Sequence, residues 1–150
     1  MKIYIGADHG GFHLKEKVEA YLKKAGYSVE DEGNNVLDPD DDYPQFAAKV
    51  ATSVLASADS ESRGIIVCSG AQGVAIAANR FKGIRASAVW DSHEAKMTRN
   101  DNDSNILCLS GRLMEHNSDL WHEVIYTWLS TPFSHATRHH RRVAELDTLG

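Results

Sequence analysis

The sequence has few cysteines, no long apolar run and no excess of basic residues. Its two cysteines, Cys68 and Cys108, are too few for a disulfide framework or a four-ligand zinc site. No apolar run approaches the roughly 18 residues that a membrane helix needs. The 16 Lys and Arg residues against 21 Asp and Glu residues give a net charge of −5, which argues against broad nucleic-acid binding. These absences predict a soluble, cytoplasmic protein that binds neither membrane nor nucleic acid.

The rest of the composition is ordinary for a globular protein. Hydrophobic residues make up 42% of the chain and charged residues 25%. A chain of 150 residues has the length of one domain and can bury a sizeable core. Because no internal repeat or linker is visible, the sequence predicts a single domain over residues 1–150.

Short apolar runs alternate with segments of helical periodicity along the chain. The apolar runs predict strands at residues 2–7, 27–31, 64–68, 84–90 and 104–110. Helical spacing predicts helices at residues 14–25, 46–55, 74–81, 117–129 and 132–146, with a further helix beginning after Asp91. Pro132 would occupy the first turn of the last helix, where proline is tolerated. This alternation predicts an α/β fold with a mainly parallel sheet and helices on both faces.

Glycine-rich loops follow the first and third predicted strands, at residues 6–11 and 69–73. In an open parallel sheet, ligands bind beyond the carboxyl ends of the strands, and glycine lets the backbone approach them closely. The second loop lacks the Lys-Ser or Lys-Thr of a nucleotide P-loop, and the first lacks the glycine spacing of a dinucleotide site. Such loops are common in α/β folds, so alone they do not define a function.

An acidic segment precedes the second predicted helix. Asp38, Asp40 and Asp42 begin like a calcium loop, but Tyr43 stands where that loop has glycine and Lys49 where it has a bidentate carboxylate. The segment is therefore predicted to be a solvated loop and not a metal site.

Cys68 closes the third predicted strand and has two interpretations. A cysteine in this position is commonly a small core residue. Alternatively, the adjacent glycine loop and the start of the next helix would favour a reactive thiolate. Cys108 lies in the middle of a strand among apolar neighbours, so only a packing role is expected for it.

Arg138 and Arg142 lie four residues apart in a basic segment of the last predicted helix. This spacing places both guanidinium groups on one helix face, where they could bind a phosphate. The alternative is a solvated helix end. Other polar side chains lie in segments that could converge on the same pocket: Asp8, His9, Tyr43 and Arg112.

Several short motifs, in their joint order and spacing, resemble the type B ribose-5-phosphate isomerases and the related galactose-6-phosphate isomerase subunits. They are Gly6-Ala7-Asp8-His9-Gly10-Gly11, Asp42-Tyr43-Pro44, Ile76-Ala77-Ala78-Asn79-Arg80, Gly83-Ile84-Arg85-Ala86, Asn102-Asp103-Ser104-Asn105, Gly111-Arg112 and Arg138-His139. The resemblance covers nearly the whole chain. It implies a Rossmann-like three-layer α/β/α sandwich with a five-stranded sheet, in a homodimer that shares its active sites and needs neither metal nor cofactor. The helix at residues 132–146 would pack on the partner subunit.

The resemblance also implies residue roles in an aldose–ketose isomerase that acts on a small sugar phosphate. Cys68 would move a proton between C1 and C2, and the loop of Ser69, Gly70, Ala71, Gln72 and Gly73 would stabilise the cis-enediolate, because preorganised donors at developing charge are usually the largest catalytic term. The sugar or its phosphate would be bound by Asp8, His9, Tyr43, Asn102, Arg112, Arg138 and Arg142. A non-catalytic, flavodoxin-like module that binds a phosphorylated ligand is the alternative, and it would have no need of Cys68.

Two positions depart from the family pattern. Gly70 stands where the family has a threonine, and Ser69 could supply the missing hydroxyl. Asp101 replaces the histidine that assists opening of the furanose ring, and a carboxylate suits this two-way proton transfer less well than an imidazole does. A four-carbon sugar phosphorylated at O4 cannot form that ring. The sequence therefore points to an open-chain tetrose phosphate such as erythrulose 4-phosphate, although Asp101 could still open a pentose ring.

Overall fold

The computed structural model describes residues 1–149 as an α/β structure, as predicted. Its strands are β1 (Lys2–Ala7), β2 (Ser28–Asp31), β3 (Arg63–Cys68), β4 (Ala86–Ala88) and β5 (Ile106–Ser110). Its helices are α1 (Phe12–Lys24), α2 (Tyr43–Ala56), α3 (Gln72–Ala78), α4 (Ser92–Asn102), α5 (Gly111–Met114), α6 (Ser118–Ser130) and α7 (Thr137–Leu146). None of the helices in this part of the chain is long and apolar enough to cross a membrane.

The five strands form one parallel sheet in the order β2-β1-β3-β5-β4. The chain moves outward from β1 to β2 and then returns to the other side of β1 to form β3. The strand order therefore reverses between β1 and β3, and the carboxyl ends of these two strands flank the crevice where open α/β sheets bind ligands.

Two hydrophobic cores cover the two faces of the sheet, which makes the fold a three-layer α/β/α sandwich. Ile5 and Ile65 face α1 and α6, whereas Ile66 and Ile106 face α2 and α3. These side chains alternate between the faces because successive strand residues point in opposite directions. The central strands are buried on both sides, which explains why they appear in the sequence as unbroken apolar runs.

Several predicted boundaries were wrong for local reasons. The last helix begins at Thr137 instead of at Pro132, because His135 is left-handed, with a φ of 54°, and Ala136 is extended, so no helix can run through them. The helix that follows the acidic loop begins earlier than predicted, at Tyr43, with Pro44 in its first turn. Strand β4 is only three residues long, and the one-turn helix α5 was not predicted. The predicted cap at Asp91 is confirmed, since its Oδ1 accepts the N–H of Glu94 at 2.8 Å.

Candidate active site

Cys68 is the last residue of β3, beside the point where the strand order reverses. Only 6% of the residue is exposed, and its Sγ accepts the backbone N–H of Ala71 at 3.1 Å. Ala71 has a φ of 66°, a left-handed conformation that a non-glycine residue adopts only when its surroundings impose it. The turn after β3 therefore folds back and directs an amide at the sulfur, a contact that suits a sulfur carrying negative charge.

The loops that follow β1, β3 and β5 contact one another through glycines. A Cβ added to Gly10 would lie 2.9 Å from the backbone nitrogen of Ser69, and one added to Gly111 would overlap the carbonyl oxygen of Gly10. The carbonyl of Ser69 accepts the hydroxyl of Ser110 at 2.8 Å and the N–H of Arg112 at 3.2 Å. Together these contacts fix the relative positions of three loops around Cys68.

Substituting Gly111 by alanine should test how closely these loops are packed. The new methyl group would force the backbone at Gly10 to move, so we expect a loss of roughly 1–3 kcal/mol in the free energy of unfolding, as for overpacked interiors. Chemical denaturation measures this change. Gly70→Ala is the matched control, because its methyl group would meet only the flexible end of Arg112, at 3.2 Å, and little stability should be lost. Equal stability of the two variants would contradict the close approach.

Arg112 and Tyr43 extend the site on two sides of the loop after Cys68. The Nη2 of Arg112 lies over Gly70, and the ring of Tyr43 lies against Gly73, where an added Cβ would be 2.9 Å from the Cζ. Tyr43 is placed there by its position at the start of α2. The structure thus brings these two predicted residues together with the loop at residues 69–73.

Asp8 and His9 leave the end of β1 beside the loop after Cys68. Asp8 is buried and accepts the N–H of Gly11 at 3.2 Å. Burial raises the pKa of Asp8 above its ordinary value, and the neighbouring His9 partly offsets this effect. A carboxyl group held in this position can accept hydrogen bonds from sugar hydroxyl groups.

Asp41 holds His9 and was missed by the sequence analysis. Its Oδ1 lies 2.7 Å from the Nδ1 of His9 and accepts the backbone N–H of His9 at 2.9 Å, while its Oδ2 accepts the amide of Asn34 at 2.9 Å. The loop predicted to be solvated is therefore exposed at Asp38, Asp40 and Asp42 but folded onto the site at Asp41. No pattern in the sequence distinguishes Asp41 from its acidic neighbours.

Two groups of side chains in residues 1–149 bring possible metal ligands within 4.8 Å of one another. In the group of Asp8, His9 and Asp41, the imidazole Nδ1 and a carboxylate oxygen are already bonded to each other. In the group of Glu16, Glu19 and Asp31, the ammonium of Lys15 bonds two of the carboxylates. Both groups therefore have an internal explanation in hydrogen bonds and ion pairs.

The remaining predicted residues lie at the opposite edge of the sheet in the same chain. Asp101 and Asn102 end α4, and the carbonyl of Asn102 accepts the Nε of Arg85, which precedes β4. Arg138 and Arg142 are exposed on α7, which packs against α4. Since α4 begins after the carboxyl end of β4 and runs back along the sheet, one chain does not bring these four residues to Cys68.

His139 is a second residue whose position the sequence analysis did not interpret. It is 4% exposed, its Nδ1 lies 2.7 Å from the Oγ of Ser134, and the same nitrogen faces the Oδ1 of Asp101 at 3.7 Å. Asn100 donates its amide to the same carboxylate oxygen at 2.6 Å. Asp101 and Asn102 together line a cavity of about 310 Å³ beside β4. Asp101, which stands where the family has a histidine, thus lies beside the buried imidazole of His139.

Cys108 has the packing environment that the sequence predicted. It is fully buried in the same core as Cys68, and burial raises the pKa of its thiol. A thiol in this state is a poor nucleophile or base. Of the two cysteines, Cys68, at the end of its strand, is therefore the candidate for a reactive role.

Comparison with known proteins gives one consistent result. Residues 3–146 match the family described as Ribose/Galactose Isomerase. The ribose-5-phosphate isomerase B of Mycolicibacterium paratuberculosis is 35% identical over 143 residues, which cover 95% of this chain and 87% of that protein. The solved Clostridium thermocellum ribose-5-phosphate isomerase B is 41% identical with a TM-score of 0.91, covering 99% of this chain and 96% of the other. That of Mycoplasma genitalium with bound ribulose-5-phosphate is 34% identical with a TM-score of 0.91, covering 98% and 94%.

The fold, the cysteine at the reversal of strand order and these similarities define an aldose–ketose isomerase of the three-layer α/β/α class. The chain belongs to the ribose/galactose isomerase family and is similar in sequence and structure to the type B ribose-5-phosphate isomerases.

Proposed function

We propose that this enzyme interconverts an aldose phosphate and a ketose phosphate of the ribose 5-phosphate and ribulose 5-phosphate type, with Cys68 as the base. The observation that carries the proposal is the placement of the Cys68 sulfur, at the reversal of strand order and in contact with the amide of Ala71. The names of the relatives and the ribulose-5-phosphate bound to one of them support the substrate class.

The reaction needs one base and one stabiliser of negative charge. The Cys68 thiolate takes the proton from C2 of the open-chain aldose, and the electron pair of that bond moves to give a cis-enediolate with its charge on O1. The O2 hydroxyl passes its proton to O1, which moves the negative charge to O2, and the resulting thiol then returns its proton to C1, so that O1 is a hydroxyl and C2 becomes the ketone. The loop at residues 69–73 follows Cys68 directly, and its amides would stabilise the enediolate oxygen, with the Ser69 hydroxyl as a further donor.

The sugar phosphate has cationic partners on one side of Cys68 within the same chain. Arg112 lies over Gly70, and His9 is held beside the same loop by Asp41. Asp8 and Tyr43 complete this half by contacting the sugar. Guanidinium groups bind phosphate well because they present several donors in a fixed plane.

The second half of the site comes from another copy of the chain. Asn102, Arg138 and Arg142 are remote from Cys68 within one chain, so they can act on the same substrate only across a homodimer. In a two-fold dimer the arrangement repeats, and each of two sites takes Cys68 from one subunit and the arginines from the other. Helix α7 would then pack on the partner subunit.

The surroundings of Asp101 favour a substrate that needs no ring opening. Its Oδ1 already accepts the amide of Asn100 and faces the imidazole of His139, so this oxygen is engaged within its own chain. A carboxylate also suits the two-way proton transfer of ring opening less well than the imidazole that the family has at this position. We therefore assign an open-chain tetrose phosphate, erythrulose 4-phosphate interconverting with erythrose 4-phosphate, as the preferred substrate.

A comparison of kcat/KM on four-, five- and six-carbon sugar phosphates tests this assignment. We expect erythrulose 4-phosphate to be preferred over ribose 5-phosphate. Asp101→His should raise kcat/KM on ribose 5-phosphate by up to roughly 100-fold, the lower range for one acid–base group, and should change the tetrose reaction little.

Asp101→Asn is the matched control for that substitution, because it keeps the shape of the side chain and removes its ability to ionise. If the carboxylate itself opens the pentose ring, this variant loses activity on ribose 5-phosphate. A wild-type preference for the pentose would contradict the tetrose assignment but not the isomerase mechanism.

A further inference from the structure

The loop between β2 and α2 is attached to the end of β1 by backbone hydrogen bonds. The N–H of Ala7 donates to the carbonyl of Gly33 at 2.8 Å, and the N–H of Asn34 donates to the carbonyl of Ala7 at 3.2 Å. These bonds continue the pairing of β1 and β2 beyond the strands and place Asn34 beside the residues that leave β1. The backbone position of Asn34 is therefore fixed relative to the start of the loop that carries His9.

Asp41 connects this anchored amide to His9. One carboxylate oxygen takes both the backbone N–H and the ring Nδ1 of His9, and the other oxygen takes the Asn34 amide. The Asp41 side chain is 7% exposed, whereas that of His9 is 43% exposed. A buried carboxylate with both oxygens engaged holds one orientation, so the imidazole ring is fixed with its Nε2 left for a ligand.

We propose that Asp41, anchored by Asn34, is the positioning residue that keeps His9 oriented and doubly protonated to bind the substrate phosphate. This inference rests on the proposed function, since it requires a phosphorylated substrate beside His9. Asp41 itself acts through His9 and does not touch the substrate. An imidazolium makes a charge-assisted hydrogen bond to phosphate that a neutral imidazole does not.

The carboxylates beside His9 favour the protonated form of its ring, as this role requires. The hydrogen bond to Asp41 raises the pKa of His9, and the charge of Asp8 adds to this effect. Burial alone would oppose ionisation of Asp41, but hydrogen bonds from the backbone and ring of His9 and from Asn34 outweigh it and lower the pKa of Asp41. Asp8, on the same loop, and Asp41 are thus the carboxylates that act on His9, and Arg112, whose Nη2 lies over Gly70, is the cation of the neighbouring loop.

The sign of the pH dependence follows from the raised pKa of His9. The imidazolium is present below that pKa and is lost as the pH rises through it, so phosphate affinity should fall on the alkaline side. Asp41→Asn removes the main cause of the shift. The loss of affinity should therefore occur at lower pH in Asp41→Asn than in the unsubstituted enzyme.

The first experiment measures KM and kcat against pH for the unsubstituted enzyme, Asp41→Asn and the control Asp40→Asn, with the best substrate of the sugar phosphate series. Asp40 is exposed and next to Asp41, so its substitution removes the same charge without touching His9. At mildly alkaline pH, Asp41→Asn should raise KM roughly ten-fold or more, the effect of losing one charge-assisted hydrogen bond. Its kcat should change little, and Asp40→Asn should resemble the unsubstituted enzyme.

A second measurement does not depend on turnover. Titration of the His9 ring by NMR should show a lower pKa in Asp41→Asn and an intermediate one in Asn34→Ala, which keeps the carboxylate but removes its anchor. An unchanged His9 titration in Asp41→Asn would overturn the inference. So would a pH-independent loss of kcat, which would indicate that Asp41 only supports the loop. If the unsubstituted enzyme isomerises no sugar phosphate, the proposed function fails, and the titration still decides whether Asp41 controls His9.

Discussion

Replacing Cys68 by alanine should lower kcat by roughly 100- to 10,000-fold, the usual contribution of a positioned general base. The sulfur is the group placed to move hydrogen between adjacent carbons, since it ends β3 at the reversal of strand order and contacts the amide of Ala71. Phosphate binding should persist in the variant, because Arg112 and His9 do not depend on the thiol. Kinetics in both directions and direct binding of the sugar phosphate measure the two effects separately.

The second cysteine provides a matched control for this experiment. Cys108 lies in the same core as Cys68 but is fully buried, so Cys108→Ala should lose some stability and keep its kcat. In deuterated solvent, the unsubstituted enzyme should exchange hydrogen at C1 of the ketose, and Cys68→Ala should not. An unchanged kcat in Cys68→Ala would reject Cys68 as the base, and the absence of exchange in every form would favour a binding module.

Much of the fold could be predicted because its strongest sequence signals have a single physical cause. A strand covered by helices on both faces must be apolar throughout, so the run that ends at Cys68 indicated a buried parallel strand. The glycine-rich loops at residues 6–11 and 69–73 marked places where loops approach one another or a side chain. Cys68, its loop and Arg112 could therefore be placed together before any coordinates.

The rest of the site depends on the path of loops and on contacts between distant segments. Asp41 is one of several consecutive aspartates, and only the hydrogen bonds between Asn34 and the end of β1 turn it toward His9. Likewise, the sequence predicted that a helix begins after Asp91, but no local pattern showed that Asp101, near the end of that helix, faces His139. Pro132 was placed in a helix because proline suits both a first turn and the segment after a helix.

Mixing two inactive variants should restore activity if each site is shared between subunits. One chain carries Cys68→Ala, and the other carries Arg138→Ala with Arg142→Ala. Each parent should be nearly inactive at low substrate concentration, the first for lack of the base and the second because KM rises when a phosphate contact is lost. In a mixed dimer, one site combines the intact cysteine of one chain with the intact arginines of the other.

The expected recovery follows from two-fold symmetry. Random assembly of equal amounts makes about half of the dimers mixed, and each mixed dimer has one intact site of two, so roughly a quarter of the unsubstituted activity should return. A chain that carries all three substitutions, mixed with Cys68→Ala, is the matched control and should restore nothing, because no intact cysteine is present. Native mass spectrometry establishes that mixed dimers have formed. Mixed dimers without recovered activity would show that the arginines serve the Cys68 of their own chain. That outcome would refute the shared active site while leaving Cys68 and its loop as the catalytic half.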